Sequence, residues 1–288
     1  MKKMNVRALT ECSVMIALSV VLGFIEIAKM PYGGSVTPAS MFPIVIAAYR
    51  HGLGWGIGAA TANSLVQLIS GVKYFSYFST WQSIVALIVF DYIVAFAVFG
   101  IAGIFKGKMK QNLSIALGAT LASFVRYLCH VISGATIWAG LSIPSEAALV
   151  YSLGYNATYM IPETVILVAV SVYLGSIVDF KRALPVRMQK EKLDGGVMAL
   201  YSFAGLAALG AVIADCSLVF PHLQNAESGA FDISGLQGVS WLAVVIVSAS
   251  AAIPSAALIV LAKRKSKVMA HLGATENDRK TSKTAQKY

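Results

Sequence analysis

From Arg126 to Trp138 the chain reads Arg-Tyr-Leu-Cys-His-Val-Ile-Ser-Gly-Ala-Thr-Ile-Trp, setting ionisable and aromatic groups four residues apart inside a long apolar run. On a helix Arg126, His130, Gly134 and Trp138 share one face, because residues four apart lie one above the other. An ionisable side chain at membrane depth is expensive, so this stripe is expected to face a ligand and not lipid. Asp91 lies in the preceding apolar run, and Tyr151, Tyr155, Asn156 and Tyr159 open the following one. At 1.5 Å per residue, Asp91 falls roughly 13 Å below Gln82 and His130 about 12 Å below Trp138, so these groups sit at similar depths. Aromatic faces attract cations at roughly 0.5 to 2 kcal/mol per contact, and a buried carboxylate supplies the counter-charge. Asn and His can pair donors and acceptors with the edge of a flat heterocycle. The expected ligand is small, aromatic and cationic.

Each group also has a structural reading. Trp138 and Tyr151 suit interfacial anchors, and Asp91 with His130 suits a mutual pair inside the membrane. Arg126, nearest the membrane centre, is expected to pair with Glu163. Asn63 and Gln67, four apart, are either interhelical hydrogen-bond groups or a further pocket wall. Glu26 and Asp215 have no evident partner.

The elements that must position these groups are membrane helices. With 57% hydrophobic and only 12% charged residues among 288, the chain has too little polar surface for a soluble globule. An all-α polytopic membrane protein is expected. Apolar runs of spanning length predict eight spans, at 9 to 28, 36 to 49, 54 to 70, 82 to 105, 113 to 138, 149 to 178, 197 to 219 and 241 to 262. Continuous runs of this kind exclude a strand-built barrel, whose strands alternate apolar and polar residues. The basic residues, all but Lys29, Lys73 and Arg126, fall on one side of those spans. The positive-inside rule then makes both termini cytoplasmic in a multi-pass protein of the cell membrane, and it explains the net charge of +10 without nucleic acid. The apolar run after the first lysines reads as a span and not as a secretory leader, since Glu11 interrupts it.

Composition breaks once, between 181 and 196, at a basic segment punctuated by Pro and Gly. Residues 1–180 are expected to form a six-helix unit, 181–196 a basic cytoplasmic linker and 197–262 an appended transmembrane hairpin. Residues 263–288 are expected to be a disordered basic tail whose Lys263-Arg264-Lys265 start touches anionic membrane lipid. The segment from Phe220 to Ser240, with Glu227 and Asp232 and without Lys or Arg, suits an external loop. Cys12, Cys129 and Cys216 have neither disulfide nor zinc spacing, so no metal or cofactor is expected. No nucleophile motif points to an enzyme, and without a phosphate-cradling Gly-x4-Gly-Lys-Ser/Thr loop any ATP dependence must come from a partner. Ser13 with Ala17, and Gly54 with Gly58, are small-xxx-small pairs that let another helix approach closely.

The residues also resemble the thiamine-specific substrate-binding subunit of energy-coupling-factor transporters over about residues 5 to 180. The likeness begins with Asn5-Val-Arg-Ala-Leu-Thr-Glu11, continues through Tyr49-Arg-His-Gly-Leu53 and Gly100-Ile-Ala-Gly-Ile-Phe105, and is sharpest at His130, Trp138 and Tyr151-Ser-Leu-Gly-Tyr-Asn156. Asp91-Tyr92 stands where the family has Glu-Tyr. The resemblance implies a six-helix subunit that takes thiamine from outside through Asp91, Tyr92, His130, Trp138, Tyr151 and Asn156. It also implies docking through Ser13 and Ala17 on a membrane scaffold subunit driven by two ATPase subunits. The loop Tyr32-Gly33-Gly34-Ser35 lacks a Trp that the family often places over the ligand, so Trp81 is a candidate replacement and Tyr155 a possible further contact. Two other readings stay open at this point: a proton-coupled transporter working alone, and an intramembrane enzyme using Asp91 and His130.

Overall fold

The computed structural model describes residues 5–30, 33–139, 141, 148–188, 195–223 and 233–285. Tyr32, Glu227 and Asp232, named above, lie outside them. The chain divides into two compact units, residues 1–188 with 222–237 and residues 189–221 with 238–288. Eight helices are named here: α1 Val6–Gly23, α2 Phe42–His51, α3 Leu53–Gly71, α4 Trp81–Phe105, α5 Gln111–Thr136, α6 Ala148–Ile177, α7 Gly195–Val219 and α8 Trp241–Ala285.

Among the described residues, six helices are long and apolar enough to cross a membrane: α1, α4, α5, α6, α7 with its extension to Leu223, and α8 to Met269. This is a multi-pass, all-α membrane protein. Of the eight expected spans the second is the shortest. The apolar run from Val36 to Tyr49 yields only the ten-residue α2, because Val36 belongs to a hairpin, β1 (Ala28–Lys29) against β2 (Ser35–Val36), and residues 37–41 form a turn in which Thr37 Oγ1 accepts from the Ser40 N–H at 3.3 Å. Ten residues rise roughly 15 Å, half of a hydrocarbon core. Pro43 sits in the first turn of α2, where its missing N–H costs nothing, and Gly52 at φ +83° ends the helix. Residues Phe42 to Tyr49 are all buried, so α2 is a core helix of the first unit, packed chiefly against α1, α3 and the end of α4. The third run does form a helix of 19 residues, α3, which buries Asn63 and Ser64 and stands outside the six apolar spans.

Close helix approach is concentrated where glycines face backbone. A Cβ on Gly100 would lie 2.5 Å from the Ile57 backbone, and one on Gly118 would fall far inside contact with the Ala102 carbonyl. These glycines seat α4 against α3 and α5. Gly54 and Gly58, expected to serve close approach, face open space, and Gly56 between them meets Ala48 and the Gly100 carbonyl instead.

The helix α4 changes winding along its length. After about two α turns, capped by Thr80 accepting from the Ser83 N–H at 3.3 Å, residues Ile88–Val94 form a π stretch, and Val98–Phe105 tighten to a 3-10 form. π segments inside helices often mark functional sites, and this one carries Asp91 and Tyr92.

In the second unit α7 and α8 pair through polar groups within the apolar spans. Ser248 Oγ donates to Asp215 Oδ2 at 2.6 Å, which supplies the partner the sequence did not name, and Ser255 Oγ donates to the Ala204 carbonyl at 3.0 Å. The expected disorder after residue 262 is corrected, since α8 continues without a break to Ala285. Helix nucleation has already been met inside the span, so Ala, Lys, Arg, Met and Leu in the following turns need only propagate it.

Candidate functional site

Five helices and one hairpin of the first unit enclose a cavity of about 550 Å³, a size suited to a small organic ligand. The stripe read from the sequence lines it completely: Arg126, His130, Gly134 and Trp138 all face it from α5 and the turn after it. Asp91 and Tyr92 reach it from the π stretch, Tyr155, Asn156, Tyr159 and Glu163 from α6, and Gln67 and Tyr74 from α3 and the turn beyond.

A chain of hydrogen bonds fixes the protonation pattern of this wall. Arg126 Nε donates to His130 Nε2 at 3.2 Å, and an arginine cannot lose that hydrogen, so Nε2 is the acceptor. The neutral ring therefore carries its proton on Nδ1 and donates it to Asp91 Oδ1 at 3.0 Å. Trp138 Nε1, an obligate donor, reaches the other carboxylate oxygen at 2.9 Å. Behind the ring, Arg126 Nη1 stands 3.5 Å from Glu163 Oε2, as the sequence reading expected, and Thr37 Oγ1 donates to Glu163 Oε1 at 3.0 Å. The guanidinium also lies 4.4 Å from the centroid of the Phe96 ring. Asp91 and Glu163 set two negative charges against the one of Arg126, and both donors to Asp91 are uncharged. This inner face of the cavity thus carries one excess negative charge that a cation can balance, while at the rim Lys29 pairs with Glu26 and Lys73 adds a positive charge.

The aromatic part is built around Trp138, with Phe78 edge-on at 4.9 Å between ring centroids and Tyr77 at 6.1 Å. Tyr151 packs into the cluster of Phe78, Leu87 and Trp138, outside the set of residues that line the cavity. It buttresses the indole. Trp81, the candidate replacement for an aromatic lid, is 69% exposed at the start of α4 and likewise does not line the cavity.

Asn156 is buried and spends its amide on its own helix. Its nitrogen donates to the Ser152 carbonyl at 2.9 Å, and its oxygen accepts from the Tyr159 hydroxyl at 2.8 Å. The β1–β2 hairpin closes over these tyrosines: Tyr155 Oη donates to the Gly33 carbonyl, and Gly34 lies on the Tyr159 ring. Only glycine fits there, since Gly34 has φ +87° and a Cβ would sit 2.8 Å from Tyr159 Cε1. The rim carries Lys29 and Glu26, paired at 2.8 Å, and the hydrogen bond that Lys29 donates to Glu26 raises the ammonium above its ordinary pKa. Glu26, Lys29, Thr37, Ser40 and the hairpin glycines were missed from the sequence as site residues, because they are brought in by a loop whose path no periodicity encodes.

Of the expected helix pair, Ser13 and Ala17 are exposed on α1 beside Val14 and Leu18. Gln67 joins the pocket wall, whereas Asn63 is fully buried with its amide nitrogen 3.8 Å from Met41 Sδ.

Comparison with known proteins agrees with this arrangement. Residues 9–180 match a family model described as thiamine transporter protein (Thia_YuaJ). Over 170 residues the chain is 35% identical to the thiamine transporter ThiT of Bacillus subtilis (strain 168), an alignment covering 55% of this chain and 84% of that relative. The matched region contains every helix that lines the cavity. By this match over more than half of its length, the chain belongs to the thiamine transporter family.

Proposed function

We propose that the protein captures thiamine from outside the cell as the substrate-binding subunit of an energy-coupling-factor transporter in the cell membrane. The observation that carries this reading is the Asp91 carboxylate, held by two uncharged donors beside an indole and an imidazole in the cavity wall. Thiamine offers a permanently cationic ring and a flat heterocycle with an amine, which answer the carboxylate and the aromatic faces respectively. In this reading Asp91 balances the ring charge, Trp138 and His130 pack on the rings, and Tyr92, Tyr155 and Asn156 with Tyr159 shape the rest. Tyr151 acts by holding Trp138. Both termini are cytoplasmic, and the cavity opens on the opposite side. Residues 1–180 are the binding domain, and the Ser13 and Ala17 face of α1 docks on the membrane scaffold subunit that two ATPase subunits drive. Residues 181–196 serve as a basic cytoplasmic linker, 197–262 as a membrane hairpin and 263–288 as a basic cytoplasmic tail, helical to Ala285, at the lipid headgroups.

Titration of the purified protein with thiamine, followed by tryptophan fluorescence with riboflavin and biotin as controls, tests the ligand. Saturable quenching by thiamine alone is expected, with most of its amplitude lost in Trp138→Phe; no response from a folded protein would overturn the reading. Gly34→Ala is expected to push the hairpin off Tyr159 and to weaken binding about tenfold, near 1.4 kcal/mol, in the same titration. Uptake by vesicles that lack the ATPase subunits tests the energy source. It is expected to be absent, and uptake abolished by a protonophore would favour a transporter working alone.

A further inference from the structure

Two of the stretches that resemble the family lie far from the cavity, and they converge on one carboxylate. Glu11 Oε1 accepts from Arg7 Nε at 2.8 Å, while Glu11 Oε2 is 2.7 Å from Arg50 Nη2 and 2.8 Å from His51 Nε2. The Arg50 side chain, 5% exposed, also donates to the carbonyls of Phe180 at 2.7 Å, Arg182 at 3.1 Å and Ala183 at 2.9 Å. Lys106 Nζ donates to the Arg50 carbonyl at 2.7 Å. The start of α1, the end of α2, the chain just past α4 and the chain just past α6 therefore meet at one knot of charge-assisted hydrogen bonds.

None of these residues lines the cavity, yet three of the tied helices do so further along: α1 at Val20 and Gly23, α4 at Asp91 and α6 at Asn156 and Glu163. Along α1 the separation from Glu11 to Gly23 is roughly 18 Å. The helix α1 itself is weakly held by packing, with Ala8, Cys12 and Ser19 as its buried residues. At 3.6 residues per turn Ser13 points about 160° away from Glu11, so the knot grips the side of α1 opposite its exposed small-residue face.

We infer that Glu11, Arg50 and His51 form a clamp that fixes the rotation of α1 and so presents the Ser13 and Ala17 face to the membrane scaffold partner. Glu11 is a positioning residue for coupling and takes no part in holding the ligand. This inference rests on the partner-driven reading above, and it extends that reading by separating two functions within one bundle: a cavity that selects the ligand and a clamp at the far ends of the same helices that sets the docking surface.

The test is Glu11→Gln in the full chain, expressed with its scaffold and ATPase subunits. Glutamine keeps the shape but turns an amide donor toward the Arg50 or His51 donors. Thiamine affinity of the purified variant is expected to stay within about twofold, while uptake loses at least roughly tenfold in maximal rate at unchanged KM and the partner subunits no longer co-purify. Glu11→Asp, which restores the charge, is expected to recover part of the uptake. His51→Gln leaves Arg50 paired and serves as the milder variant, with the same split between binding and uptake at smaller size. Wild-type uptake in Glu11→Gln, or a loss of thiamine affinity in step with the loss of uptake, would overturn the clamp. Failure of the thiamine reading itself would show in the wild-type titration before any variant is compared.

Discussion

Asp91→Asn is expected to weaken thiamine binding on the order of a hundredfold, about 3 kcal/mol, while leaving the fold intact. The size follows from two losses. The substitution removes the negative charge that balances a cationic ring, and it leaves two N–H groups competing for one carbonyl oxygen. With the new amide nitrogen toward Trp138, it meets the obligate Nε1 donor; turned toward His130, it forces the imidazole proton to Nε2, where Arg126 already donates. Either orientation leaves a donor facing a donor in a partly buried site, and an unmade hydrogen bond of that kind costs about 1 to 3 kcal/mol. Isothermal titration with thiamine measures the loss, and thermal unfolding in detergent checks the fold. Affinity equal to wild type would remove Asp91 from the site.

Gly118→Ala is expected to cost about 3 kcal/mol of stability or more, lowering the unfolding midpoint by roughly 10 °C. The new methyl would collide with the Ala102 carbonyl, and both residues are buried where α5 crosses the 3-10 end of α4. A backbone carbonyl cannot swing aside as the tip of a long side chain can, so the two helices must part. That movement separates the helix carrying Asp91 from the one carrying His130, and thiamine affinity is expected to fall with stability. Gly54→Ala is the control, because a Cβ there meets nothing within 4 Å. Scanning fluorimetry of both variants in the same detergent decides the matter, and equal midpoints would show that the seam tolerates a methyl group.

The stripe on α5 was readable because it rests on a period of four residues inside one helix, and the cost of burying Arg126 pointed to Glu163 as its partner. Depth counting also brought Asp91 to the level of His130. It did not show how Asp91 is aimed, since the π winding of Ile88–Val94 departs from the spacing on which such counting rests. Tyr151 and Trp81 show the same boundary from the other side. Both are aromatic residues near the ends of spans, and residue type alone does not separate a ring that lines a cavity from one that supports it or faces out.

The apolar run that became α2 gave a shorter helix than its hydropathy suggested, because hydropathy does not register the hairpin that takes Val36 or the turn over residues 37–41. The long α8 shows the reverse, where a charged composition suggested disorder but an existing helix needed only to be continued. What the sequence by itself determined was the membrane, the helices and the polar stripe, because each depends on composition or on spacing within a single element. Only the tertiary structure decided which tyrosines face the cavity, which loop closes over them and which carboxylate gathers Arg50 and His51, because those are contacts between residues distant in the chain, where no local period carries the information.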